Sequence, residues 1–214
     1  MIYKDIEQSS EAWYAVRAGR FTGTSVKNLF MSESTKGYQE TIAEILAEAI
    51  TGEVPESKDL SYIEPIARGK ALEEYARKDF EDITDIEPVE VGFVLHHDEE
   101  LSEWIGVSPD GVIFGFDEVT IRSGLEIKCP GAKTHLLYLT EGVLPKEYFY
   151  QVHASMYVTS ADSWFFMSYH PNLKPFILEV KRDEVMIAKI DEKVRTAIQR
   201  VKELKAIYEN YDYE

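Results

Sequence analysis

The 214-residue chain contains one cysteine, Cys129, so no internal disulfide can form. That scarcity fits a reducing compartment. No apolar run approaches the roughly 20 residues that a membrane-spanning helix needs. The opening residues, Met-Ile-Tyr-Lys-Asp-Ile-Glu-Gln, have neither the basic start nor the apolar stretch of a secretory leader. We therefore expect a cytoplasmic protein with no membrane partner. No repeat, low-complexity tract or Gly/Ser-rich linker divides the chain, which predicts a single domain over 1–214. Basic residues are also scarce: 23 Lys and Arg stand against 39 Asp and Glu, a formal net charge of −16. Such a total repels polyanions at long range but says little about a local site.

What is present is a globular composition, 44% hydrophobic and 12% aromatic, enough to build a core. The acidic surplus is concentrated in residues 31–103, whereas Arg17, Arg20 and Lys27 cluster early and Lys128, Lys133 and Lys146 cluster late. Any contact with nucleic acid should therefore use a confined basic surface and be salt-sensitive.

Periodicity predicts a helical start. Short helices are expected over 9–17, with Ser9 or Ser10 as cap, and from Thr24 or Ser25 to Phe30. Longer ones are expected over Gln39–Ala49, stopped near Gly52, and over Ile63–Asp82. Alternation of Val89, Val91, Phe93 and Leu95 then marks a strand. Further strands are expected at Trp104–Val107, Val112–Phe116, Leu125–Lys128, Ser163–Tyr169 and Phe176–Val180. Helices are expected at Lys133–Thr140 and Glu147–Val158, and a final one is capped by Asp183. The fold class is α/β: a mixed sheet flanked by helices on both faces, with a mainly helical N-terminal part (1–85), a sheet and catalytic core (86–182) and a C-terminal helix (183–214).

Two short motifs carry chemistry. Ser108-Pro109-Asp110-Gly111 puts a carboxylate in a turn, and Leu125-Glu126-Ile127-Lys128 puts a carboxylate and an ammonium on the same face of a strand. Alone, the first is an ordinary turn and the second a solvated strand face. Together, closed by a hairpin, they set Asp110 beside Glu126 and Lys128. Two carboxylates and a lysine can hold a divalent cation and activate water, the chemistry of a metal-dependent phosphodiesterase.

These motifs, with Trp13-Tyr14-Ala15-Val16-Arg17-Ala18-Gly19, Arg68-Gly69-Lys70-Ala71-Leu72-Glu73, Cys129-Pro130 and Tyr150-Gln151-Val152-His153, occur in an order that resembles the lambda exonuclease and YqaJ-like viral recombinase family of PD-(D/E)XK nucleases. The resemblance implies a restriction-endonuclease-like fold and a Mg²⁺-dependent 5′→3′ exonuclease, with Mn²⁺ able to substitute. It also implies double-stranded DNA ends as substrate, 3′ single-stranded tails as product, a homotrimeric ring and a single-strand-annealing recombinase as partner. A phage or prophage origin in a bacterial host follows from it too.

By the same resemblance Asp110, Glu126 and the Ile127 carbonyl are metal ligands, and Lys128 positions or deprotonates the attacking water. Glu73 is a second-metal ligand or a partner of Lys128, and Gln151 holds the nucleophile or the lysine. Arg17 takes the 5′-phosphate with Thr24, Ser25 and Ser108 as hydroxyl donors. Apart from the resemblance, His135 lies near the site in sequence, where it either contacts DNA or caps a helix. Two positions depart from the family. Gly131-Ala132-Lys133-Thr134-His135 has no arginine after Lys-Cys-Pro, so Lys133 offers a point charge without a bidentate fork. His153 also stands where the family has a second glutamine.

Other residues are weaker candidates. His96-His97 reads as a polar strand end, because neighbouring strand residues face opposite ways. Cys129 and Trp164-Phe165-Phe166-Met167 read as core. Two rival readings remain: an endonuclease or junction resolvase on the same fold, and a non-catalytic DNA-end-binding module.

Overall fold

The computed structural model describes residues 1–52 and 64–211, with the side chains of 64–68 and 70 excepted. The expected helix start at Ile63 and the side chains of Ile66, Arg68 and Lys70 lie outside the described residues. In chain order the elements are β1 (Ile2–Tyr3), α1 (Glu11–Arg17), β2 (Phe21–Thr22), α2 (Val26–Leu29), α3 (Lys36–Thr51), α4 (Glu64–Thr84), β3 (Phe93–Leu95) and α5 (Glu99–Ser102). They continue with β4 (Ile105–Val107), β5 (Gly111–Phe114), β6 (Ile121–Lys128), α6 (Ala132–Glu141), α7 (Lys146–Thr159), β7 (Ser163–Ser168), β8 (Phe176–Lys181) and α8 (Glu184–Glu209).

The helix ends follow local chemistry. Ser10 accepts from the Trp13 N–H, Thr35 from Tyr38, and Asp183 from both Val185 and Met186, each satisfying donors that the first helical turn leaves open. Gly52 ends α3 at φ 64°, a left-handed position that suits a residue without Cβ. Ser25 precedes α2 without capping it; its hydroxyl is spent on the Thr22 N–H and carbonyl instead.

The expected sheet forms as two four-stranded mixed sheets, ordered β1-β3-β4-β2 and β5-β6-β7-β8. The second one carries the motifs. β5 and β6 are an antiparallel pair with Gly111 opposite Leu125; β6 and β7 are parallel with Glu126 opposite Phe166, joined through α6 and α7. Leu125, Ile127 and Met167 face α4, where Ala76 and Phe80 close a small core and the Phe80 and Phe165 rings meet edge-on at 5.2 Å. On the opposite face Tyr148 of α7 stacks on Phe166 at 5.2 Å. Helices thus cover both faces of this second sheet, and Trp164, Phe166 and Met167 are fully buried, as expected of a core strand. Cys129 packs against the α4-side core.

Three expectations are corrected. The strand expected from Val89 to Leu95 shrinks to Phe93–Leu95, with Val89 making only an isolated bridge to Val112. The N-terminal segment intrudes there: a Cβ on Gly92 would sit 2.1 Å from the Ile6 carbonyl oxygen. The strand expected to reach Phe116 stops at Phe114, where the register shifts, and Phe116 projects into solvent. His96 and His97 lie beyond β3, so they do not take opposite strand faces; their rings stack at 4.3 Å.

Candidate active site

The hairpin closes as the spacing predicts. The Asp110 N–H donates to the Leu125 carbonyl at 3.1 Å, and the Asp110 carboxylate accepts from the Ile127 N–H at 2.6 Å through Oδ2. Glu126 points toward α7 and is 2% exposed. Its Oε1 accepts from Lys128 Nζ and, at 2.6 Å, from Gln151 Nε2. Three elements therefore converge on two carboxylates: a turn supplies Asp110, β6 supplies Glu126 and Lys128, and α7 supplies Gln151. Glu73, on α4, is close enough for its charge to act on Glu126.

Burial dominates the electrostatics. It pushes the Asp110 carboxyl above the usual carboxylate range, against the pull of Lys128 and the Ile127 N–H. It raises Glu126 as well, where Lys128 opposes the shift and the charges of Asp110 and Glu73 add to it. Burial disfavours the Lys128 ammonium, but Glu126 and Asp110 outweigh it and hold that pKa above the ordinary lysine value. Two buried carboxylates facing one ammonium leave a negative excess that a cation can neutralise.

The available donors fit a hard divalent ion. Among the described residues no hydrogen bond reaches Asp110 Oδ1 or Glu126 Oε2. The Ile127 carbonyl lies on the same strand edge as its N–H, beyond the end of the β5 ladder and beside Asp110. Two carboxylates and a carbonyl, completed by water, suit Mg²⁺, which takes oxygen ligands and keeps several waters. No cluster of three or more His, Cys, Asp or Glu side chains is grouped for a metal among the described residues.

An opening of about 450 Å³ at this centre is lined by Thr24, Lys27, Lys128, Glu147, Tyr148 and Gln151. Another, of about 260 Å³, is lined by Arg17 and Ser25. Arg17 Nη1 donates to Ser108 Oγ at 2.9 Å, the Trp13 indole donates to the same oxygen at 3.0 Å, and the guanidinium lies 3.9 Å from the Trp13 ring centre. Burial lowers the Arg17 pKa to about 10, against Tyr14 and Glu48, so the group stays cationic at neutral pH. Ser108 thus links the Arg17 pocket to the turn that carries Asp110.

Not every expected residue joins these openings. Lys133 is exposed on the first turn of α6. His135 is fully buried, its ring nitrogens paired with Ser168 Oγ at 2.8 Å and the Lys174 carbonyl at 3.0 Å, so it has no surface to offer DNA. His153 is buried too, bonded to the Phe149 carbonyl. Tyr148 and Arg77 enter the surroundings of the site without having been singled out in the sequence, whereas Trp13 and Lys27 stood there only as part of a motif and of a basic cluster. The signal for Arg77 was its position four residues after Glu73, one helical turn away on the same face.

The model of the YqaJ-like viral recombinase domain matches residues 12–162, a span that holds Arg17, Glu73, Asp110, Glu126, Lys128 and Gln151. No curated protein sequence matches the chain. Among solved structures, the alkaline exonuclease LHK-Exo from Laribacter hongkongensis is 26% identical with a TM-score of 0.79, over 94% of this chain and 96% of that one. LHK-Exo in complex with dAMP aligns equally well, at 26% identity and a TM-score of 0.79 over 93% and 96%. A phage-related exonuclease from Haemophilus somnus 129PT shares the fold, with 14% identity and a TM-score of 0.59 over 90% of this chain and 98% of that one. With about seven-tenths of its length matched by that family model, and its motif residues inside the match, the chain belongs to the YqaJ-like viral recombinase domain family.

Proposed function

We propose that the protein is a Mg²⁺-dependent exonuclease that degrades one strand of double-stranded DNA from its 5′ end and leaves 3′ single-stranded tails for recombination. The observation that carries this reading is the convergence of Asp110, Glu126, Lys128 and Gln151 beside the Arg17 and Ser108 pocket. The likeness to an alkaline exonuclease, whose dAMP complex aligns equally well, supports it.

Asp110, Glu126 and the Ile127 carbonyl hold the metal in this reading. When bound, Mg²⁺ lowers the pKa of a coordinated water and offsets charge on the attacked phosphate; Mn²⁺ substitutes for it. Lys128 is held by Glu126 with its remaining N–H bonds free to orient water, so we assign it positioning rather than proton removal. Gln151 keeps Glu126 in place. Glu73 adds negative charge to the same centre. Arg17, prealigned by Ser108 and Trp13, receives a terminal phosphate, to which a guanidinium can make two bonds. Thr24 and Lys27 line the cleft beside Lys128, where they meet the DNA backbone, and exposed Lys133 adds a charge nearby.

We read 1–214 as a single nuclease domain. We further propose a homotrimeric ring, with acidic residues outside and basic ones lining the channel, an arrangement that reconciles the net charge with a polyanionic substrate, and a single-strand-annealing recombinase as partner. No helix among the described residues is long and apolar enough to cross a membrane, and we place the protein in the bacterial cytoplasm as a phage-encoded enzyme.

The test uses linear duplex DNA labelled at one 5′ end, incubated with Mg²⁺ or EDTA, with 5′-hydroxyl and closed circular substrates alongside. The reading expects Mg²⁺-dependent release of mononucleotides from linear DNA, faster with a 5′-phosphate. Cutting of closed circles would replace it with an endonuclease, and end binding without cleavage would replace it with a recruitment module.

A further inference from the structure

The turn that carries Asp110 is held from three sides. From β6, Leu125 and Ile127 fix the Asp110 N–H and carboxylate. From the N-terminal segment, Gln8 Nε2 donates to the Pro109 carbonyl at 2.9 Å and to the Val91 carbonyl at 3.2 Å. From α4, Arg77 Nε donates to the Asp110 carbonyl at 3.1 Å, while its Nη1 is ion-paired with Glu90. Arg77 has a side chain only 16% exposed, whereas Glu90 is 71% exposed. A buried guanidinium is costly, and its directional bonds are the return on that cost.

Two consecutive carbonyls, those of Pro109 and Asp110, are therefore tied by Gln8 and Arg77 to the neighbouring segment Glu90–Val91. Arg77 lies one helical turn after Glu73, and both line a cavity of about 540 Å³ that Asp110 also borders. Helix α4 thus brings a carboxylate and a guanidinium to the same side of the turn.

We propose that Arg77 is a positioning residue that fixes the peptide after Asp110, and so aims the Asp110 carboxylate at the cation. This rests on the reading of Asp110 as a metal ligand. The guanidinium fork spans the Asp110 carbonyl and the Glu90 carboxylate, a geometry that a single ammonium cannot reproduce.

Charge and position predict opposite signs here. Arg77 is a cation whose charge acts on the Asp110 carboxylate. If it acted through charge alone, its removal would tighten divalent-ion binding. If it aims Asp110, its removal weakens binding. The experiment titrates Mn²⁺ into the full-length protein by calorimetry, without DNA, and records a thermal melt of each variant. Asp110→Asn serves as the site control.

Arg77→Gln should raise the Mn²⁺ Kd by about tenfold or more, the usual effect of losing a residue that orients a metal ligand. Arg77→Lys, which keeps the charge and disturbs packing less, should show a similar loss, and it decides the matter if Arg77→Gln does not fold. Wild-type or tighter Mn²⁺ binding in the folded variants overturns the inference while leaving the metal site intact. Binding that survives Asp110→Asn unchanged overturns the metal-site reading itself, and the inference with it.

Discussion

The Asp110 carboxylate accepts a hydrogen bond from the main-chain N–H of Ile127 at 2.6 Å. A side chain in a turn is thereby locked to the middle of the Glu126-Ile127-Lys128 strand, and the distance between the two acidic groups becomes a property of the backbone rather than of rotamers. Asp110→Ala and Glu126→Ala should each abolish hydrolysis while leaving DNA-end binding. A gel-based nuclease assay paired with fluorescence anisotropy on labelled duplex ends checks both halves.

Lys128→Ala should lower the cleavage rate by on the order of 10²-fold, the scale of losing the group that orients a reactant. Calorimetric Mn²⁺ binding should persist, because both carboxylates remain. Wild-type turnover in this variant would remove Lys128 from the site.

Arg17→Ala should act on end chemistry. A hydrogen bond to a charged group contributes roughly 1.5–3 kcal/mol, so the ratio of rates on 5′-phosphate and 5′-hydroxyl ends should fall by about ten- to a hundredfold. Ser108→Ala removes the acceptor shared by Arg17 and Trp13 and should lower the same ratio by less. Equal ratios in wild type and Arg17→Ala would assign the pocket another role.

Stability should depend on His96. Its ring is 4% exposed, lies between His97 and Tyr157, and accepts the Asp98 N–H at 3.1 Å, so the neutral form is favoured. Burial lowers its pKa to about 4; His97 and Arg195 add to the shift, and Asp98 and Asp191 oppose it. Between about 6.5, the unfolded value, and that point the unfolded chain binds more protons than the folded one. Stability is therefore full above this window and falls as pH drops through it. Urea midpoints measured across this range should show the slope in wild type and a flatter profile in His96→Gln.

Gly124→Ala should destabilise the catalytic sheet. Its Cβ would lie 2.3 Å from Trp164 Cη2, and Trp164 is fully buried. Overpacking of this kind costs roughly 1–3 kcal/mol. Tryptophan fluorescence during urea unfolding reports it, and an unchanged midpoint would mean that the indole has room to move.

The parts of the fold read correctly from sequence were those with local causes. The β5–β6 hairpin announced itself through Pro109-Asp110-Gly111 and the alternation of Leu125 and Ile127, and α8 through its Asp183 cap. The two-residue strands β1 and β2 could not be read, since two residues have no period; distant partners define them, Val94 for Ile2 and Ile105 for Phe21. His135 misled for a related reason. Its nearness to Lys128 in sequence suggested the cleft, but α6 buries the stripe that holds His135 and Tyr138. Glu126 and Gln151 were recognised as motif residues, yet their 2.6 Å contact depends on a parallel crossover that no short window encodes.

That crossover has a consequence for how the activity arises during synthesis. The residues of the centre emerge from the ribosome in the order Glu73, Asp110, Glu126, Lys128 and Gln151, and the last of them arrives on a helix that must pack across β6 and β7. A growing chain truncated before α7 carries every carboxylate of the site but nothing to hold Glu126 from that side. The Glu126–Gln151 contact is therefore completed only once α7 is seated on the paired sheet, a late step in building the centre.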